Sequence, residues 1–257
     1  MPGFDVSTFT HGGRPHEVYL AGAGPAVIVI HELPGLHPGV TAFGQWLVDA
    51  GYRVYLPSLF GRPGKPFSGR ETMRSLGQMC VSREFVLLAD RTPPAVTWLR
   101  ALAARAHAEC GGPGVGALGM CFTGGFALAM AVEPAVLAPV LSQPGVPFGV
   151  TAAKRAALAL DPADLASVKA RTSHGLCVLG LRFAADRGCP PERFATLRRE
   201  LGASFEGIKI DSSPGIPHGI RKGAHSVLTL DLVDTPGHPT REALDRVMAL
   251  FAERLRP

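Results

Sequence analysis

The chain has 257 residues, is 46% hydrophobic and 18% charged, and carries a net charge of +5. That length and apolar content supply one large buried core and argue against a disordered chain; the basic residues are scattered, mostly arginine, and never cluster as a nucleic-acid footprint requires. No run of about 20 apolar residues suits a membrane span, and five irregularly spaced cysteines with no C-x-x-C pair argue against a disulfide framework or a zinc site.

One domain over 1–257 is expected, because no Ser/Gly/Pro tract divides the chain and no internal repeat is present. Residues 17–20 (EVYL) read as a short edge strand. Ala26–Ile30 (AVIVI) is a continuous β-branched run, as in strands buried on both faces of a parallel sheet. A helix over 40–49 and a strand at 53–56 (RVYL) follow. Residues 72–108 read as helical with a break at Pro93 and Pro94. A strand at 115–118, a helix over 122–132 and strands at 136–141 and 176–181 (LCVLGL) come next. Pro191–Leu201 reads as a helix, Phe205–Ile210 (FEGIKI) as a strand, and Pro239–Leu255 as a closing amphipathic helix. Alternation of this kind predicts an α/β fold, with a mostly parallel sheet and helices on both faces.

Ligands of such sheets bind beyond the carboxyl ends of the strands. The chemistry-bearing residues that follow strands are His31, Glu32, Cys121, Asp186 and His225. Around Cys121 the sequence GMCFTGG places small residues on either side of a potential nucleophile, the pattern of a strand that turns sharply into a helix. Gly119 lets strand and helix approach. A thiol at a helix start gains from the dipole, which favours thiolate, and the amide of Phe122 would face a developing oxyanion. The bland alternative is a buried structural cysteine. Gly114, Gly116 and Gly119 fall at G-x-G-x-x-G spacing, but they run through the strand at 115–118 instead of following a strand into a helix, so a dinucleotide site is the weaker rival.

On such a turn the nucleophile is followed in chain order by an acid and a histidine. Asp186 after LCVLGL and His225 after FEGIKI fit that order, with Asp211 and His218 as rivals. The histidine would shuttle the nucleophile's proton, and the carboxylate would fix its tautomer.

At these residues the chain resembles the dienelactone hydrolase family, an α/β-hydrolase branch with a Cys–Asp–His triad. Four pieces carry the resemblance: HELPG from His31, GMCFTGG, the segment from Gly180 to Asp186, and GAHS ending at Ser226. It implies that Glu32 lies beside the nucleophile and takes the thiol proton when substrate arrives. It also implies that Leu33 gives the second oxyanion N–H, and that Arg83, with Ser226, binds the substrate side. A guanidinium fork suits a carboxylate. Two features depart from the family pattern. Thr123 stands where a glycine is usual, and no arginine follows shortly after His225; Arg182, Arg221 and Lys222 are the substitutes at hand.

The expected activity is hydrolysis of a small ester or lactone, of dienelactone or enol-lactone type and bearing a carboxylate, through a thioester on Cys121. A thioesterase, cyclase or lyase on the same site is the second reading, and a catalytically silent binding protein the third. No metal or cofactor, no nucleic acid and no membrane partner is expected. The chain is expected to act on a small, anionic molecule as a monomer or homodimer. The first residues (MPGFDVSTFTHGG) lack the apolar core of a signal peptide, so a cytoplasmic location is expected. The loop 59–70, rich in Gly, Pro and basic residues, is expected to border the pocket.

Overall fold

Eight strands form one sheet in the order β1-β2-β4-β3-β5-β6-β7-β8 in a computed structural model, which describes residues 1–82, 85, 91–145, 151–213, 215–216 and 218–256. The strands are β1 Asp5–His11, β2 Arg14–Ala21, β3 Ala26–Ile30, β4 Arg53–Pro57, β5 Val115–Met120, β6 Val136–Ser142, β7 Val178–Phe183 and β8 Phe205–Ile210. The first two make an antiparallel hairpin, and β2 runs antiparallel to β4. All other pairs are parallel. Strands β3, β5 and β7 are buried at every position, which is why their sequences are runs rather than alternations.

Helices cover both faces. Ile28, Ile30 and Ala117 on one face pack with Trp98 and Leu99 of α3 (Pro94–Cys110), Phe126 of α4 (Gly124–Met130) and Phe194 of α7 (Pro191–Leu201). Val27, Val29, Leu118 and Val140 on the other pack with Phe43 and Leu47 of α1 (Pro38–Asp49) and Val247 and Phe251 of α8 (Pro239–Leu255). Each such valine, leucine, isoleucine or phenylalanine side chain contributes about 1.5–3 kcal/mol when wholly buried.

Several boundaries differ from the sequence reading. The N-terminal hairpin strand β1 was not expected, because it is largely exposed and shows no apolar alternation. Within the stretch 72–108 the described residues form two helices, Gly69–Val81 (α2), which starts earlier than expected, and α3, with Pro93 as its N-cap. Ala152–Ala156 (α5) and Pro162–Thr172 (α6) are further helices, missed because their polar faces leave few apolar positions; α6 has one buried residue, Val168. A 3-10 turn at Cys121–Thr123 precedes α4. Within the described residues, no helix is long and apolar enough to cross a membrane.

Candidate active site

The parallel register sets Ile30 of β3 opposite Gly119 of β5, and Met120 opposite Ser142 of β6. The strand exits bearing Glu32, Cys121 and Gln143 are therefore neighbours at the carboxyl edge. Strand β7 leads to Asp186 and β8 to the loop of His225.

Cys121 adopts φ 57°, in the left-handed region that costs a non-glycine residue about 1–3 kcal/mol and occurs at functional turns. A Cβ on Gly119 would lie 2.1 Å from the Thr123 carbonyl oxygen, so only glycine permits this sharp return of the chain. Thr123 explains its own departure from the family pattern. Its buried hydroxyl accepts the Met120 amide at 2.9 Å and lies 3.1 Å from the Ile30 carbonyl and 3.2 Å from that of His31. It thus ties the turn to the exit of β3.

The His225 Nδ1–H donates to Asp186 Oδ2 at 2.7 Å, and Asp186 Oδ1 accepts the Gly188 amide at 2.8 Å. That leaves His225 Nε2 to face the thiol of Cys121, which lies within hydrogen-bonding reach. Burial alone would lower the basicity of His225; negative charge on Cys121 and the Asp186 bond overcome it and hold the imidazole well above the usual histidine range. The structure thus brings Cys121, His225 and Asp186 together in one chain of contacts. The rivals stand apart: Asp211 is exposed and bonds Ser213 at 2.9 Å, and His218 is exposed beside His238.

Glu32 is held by four donors. Its carboxylate is 2% exposed and accepts from His37 Nε2 at 3.3 Å, Gln143 Nε2 at 3.2 Å, Ser226 Oγ at 2.7 Å and Thr229 Oγ1. Burial raises its pKa, but these bonds more than offset that and lower it overall. A carboxylate with two donors on each oxygen has its acceptor capacity filled. Ser226, expected on the substrate side, is buried and donates its hydroxyl to Glu32. Arg83 lies outside the described residues.

The substitute cations also resolve. Arg182 is buried and donates to the carbonyls of Cys189 at 3.1 Å, Ala184 at 3.3 Å and Asp186 at 3.4 Å, bracing the acid's loop. Arg221 pairs with Asp231. Lys222 instead lines an open cleft of ≈ 770 Å³, whose walls include Arg187, Ile220, Asp186 and His225.

For the oxyanion, Phe122 N is the amide that follows Cys121, and Leu33 N lies just past β3. Among the described residues, the loop and turn backbone bonds leave the Leu33 amide without an acceptor. Phe60, in the loop 59–70, packs tilted on Phe122, ring centroids 5.4 Å apart, and edge-on to His31 at 4.3 Å, so that loop does border the turn. His31 is wholly buried; its Nε2 accepts the Leu59 amide at 3.1 Å and its Nδ1–H donates to the Glu32 carbonyl at 3.1 Å. Burial lowers its pKa to about 4, so it is a neutral brace.

Sequence reasoning passed over Gln143, His37, Thr229, Asp231 and Arg193. One signal was available for Gln143. It directly follows β6 and takes φ 36°, and its Oε1 accepts the Val227 amide at 3.2 Å. No group of three or more His, Cys, Asp or Glu side chains suited to a metal occurs among the described residues.

Sheet order, crossover helices and a left-handed strand-to-helix turn at Cys121 define an α/β-hydrolase fold. The chain belongs to the dienelactone hydrolase family, whose profile matches residues 13–221, a span that ends before His225. Fold and family together make it a hydrolase. Solved structures agree on the fold. A candidate dienelactone hydrolase from Klebsiella pneumoniae is 18% identical, with 97% of this chain and 98% of that one covered and a TM-score of 0.64. A dienelactone hydrolase from Anabaena variabilis is 18% identical, with 98% of each covered and a TM-score of 0.61. A dienelactone hydrolase-like promiscuous phosphotriesterase from metagenomic libraries is 17% identical over 98% of each, with a TM-score of 0.59. No curated protein matches the chain in sequence.

Proposed function

We propose that the protein hydrolyses a small, carboxylate-bearing ester or lactone through a thioester on Cys121. The observation that carries this reading is the continuous contact chain Cys121–His225–Asp186 built on a left-handed turn. The Cys121 thiolate attacks the acyl carbon, and the displaced electron pair becomes an oxyanion facing the amides of Leu33 and Phe122. Collapse breaks the bond to the leaving oxygen, which takes its proton from His225 Nε2. His225 then draws a proton from water, whose oxygen attacks the thioester. Expulsion of the thiolate frees the carboxylic acid and restores the thiolate–imidazolium pair.

The cleft beside His225 supports an anionic substrate. It meets the site at the histidine that protonates the leaving group, and Arg187 and Lys222 stand on its walls. Asp186 is the acidic lining residue, and it is engaged by His225. The deciding experiment compares wild type with Cys121→Ala on p-nitrophenyl acetate and on a carboxylated enol lactone, with rapid-quench mass spectrometry for an acyl adduct. Loss of turnover by at least about 10³-fold and an adduct on the Cys121 peptide are expected. Turnover unchanged in the variant would sink the nucleophile assignment. A wild type inert on the lactone would sink the substrate class.

A further inference from the structure

Arg193, in the first turn of α7, is a cation placed where a hydrophobic residue would ordinarily sit. It is 4% exposed, and among the described residues it pairs with no carboxylate. Its Nη1 donates to the Gly145 carbonyl at 2.9 Å. Its Nε is the one buried side-chain nitrogen or oxygen among the described residues that lacks a hydrogen-bond partner. An unmet buried donor destabilises by about 1–3 kcal/mol, and an unpaired buried charge by more. Retaining both calls for a compensating role.

Gly145 supplies the link. Its amide donates to the Cys121 carbonyl at 2.8 Å. A Cβ on it would lie 3.1 Å from Cys121 Sγ and 3.3 Å from the Phe122 amide nitrogen. Gly145 therefore lies directly against both the nucleophile and one oxyanion donor. We propose that Arg193 is a positioning residue of the nucleophile: it clamps Gly145 against Cys121 and supplies a fixed buried positive charge that favours the thiolate and the later oxyanion. This rests on the reading of Cys121 as the nucleophile.

The surrounding charges are consistent. Burial pushes the Arg193 guanidinium down to about 10, with negative charge on Cys121 opposing the fall. Attraction is reciprocal, so charge on Arg193 favours charge on Cys121. Of the other groups packed nearby, Glu192 pairs with Arg155 at 2.7 Å, and Arg182 spends its donors on carbonyls. Cys189 is a buried thiol raised to about 12 by desolvation and by Asp186, so it stays neutral. Positive charge acts on Cys121 from His225, backed by Asp186, and, through the Gly145 link, from Arg193.

The test is the rate of iodoacetamide labelling of the Cys121 peptide, followed by mass spectrometry across the pH range, in wild type, Arg193→Lys and Arg193→Met. In Arg193→Met the labelling profile should move to higher pH by about one unit, with about a tenfold slower rate at neutral pH. Arg193→Lys keeps the charge, so its labelling profile should stay with wild type while kcat falls and KM holds. A folded Arg193→Met that labels like wild type overturns the inference. If Arg193→Met does not fold, Arg193→Lys decides: a labelling profile displaced despite the retained charge overturns it. If neither folds, His225→Asn decides, since Arg193 is then intact without the imidazole. Labelling of Cys121 at lower pH than free glutathione supports the inference, and labelling at the same or higher pH overturns it. Labelling needs no substrate, so these outcomes are separate from the fate of Cys121→Ala in turnover, which bears on the nucleophile assignment alone.

Discussion

Ser226, the residue after His225, donates its hydroxyl to Glu32 Oε2 at 2.7 Å across 194 positions of chain. Thr229 and Gln143 bind the same carboxylate, and Gln143 also receives the Val227 amide. Glu32 is thus the anchor of the loop that presents the histidine. Glu32→Gln replaces a group that accepts four hydrogen bonds with an amide that carries two donors of its own, and should destabilise by about 3 kcal/mol. Urea unfolding should show this loss, with kcat reduced more than KM. The pKa of Glu32 is lowered in the folded state. Its stabilising contribution is therefore full above the unfolded carboxylate range and lost as pH falls through the lower folded value. The variant should lack that part of the acid limb.

Asp231 holds the histidine from the other side. Its Oδ2 accepts the His225 amide at 2.8 Å and the Ser226 amide at 3.0 Å. Asp231→Ala leaves both amides unmet and frees the loop. A fall in kcat of about tenfold, equivalent to about 1.4 kcal/mol of barrier, is expected with KM nearly unchanged. Equal kcat in the two proteins would show that the loop is held by Glu32 alone.

On the proposed mechanism, the raised pKa of His225 would set the pH dependence of the reaction. Its imidazolium persists above the ordinary histidine value of about 6.5 and disappears only as pH climbs through the higher folded value, so kcat/KM should hold well past neutrality before its alkaline decline. The protonated group likewise stabilises the fold below the unfolded value, and this contribution is lost as pH rises through the folded one. Asp186→Asn removes the bonded charge and should bring the alkaline decline to lower pH, as read from pH–rate profiles.

His31 acts in acid. Its folded pKa is about 4, below an unfolded value of about 6.5, so its contribution is full above the unfolded value and gone once pH has fallen through the folded one. The total is roughly 3 kcal/mol. His31→Gln should flatten the fall in urea stability between neutral pH and about pH 4. An equally steep fall in the variant would assign the acid loss to other groups.

Gly119→Ala drives a Cβ to within 2.1 Å of the Thr123 carbonyl oxygen. Backbone must move, and the loss should exceed about 3 kcal/mol, seen as a Tm lower by about 10 °C in a domain of this size. Activity should be lost along with it, because the displaced backbone carries Cys121.

The sequence itself determined what local patterns encode. Buried runs such as AVIVI and VGALGM identify the strands, because a parallel sheet excludes polar residues from both faces. Gly119 and Cys121 identify the turn, because a sharp strand-to-helix return admits only a small residue at the close approach. Chain order then pointed to Asp186 and His225. Tertiary structure alone decided where Glu32 turns, what Ser226 binds, why Thr123 stands in the turn and why an arginine is buried at position 193. Those contacts join strand exits far apart in sequence, and their partners are set by sheet order and side-chain reach, which no local spacing records.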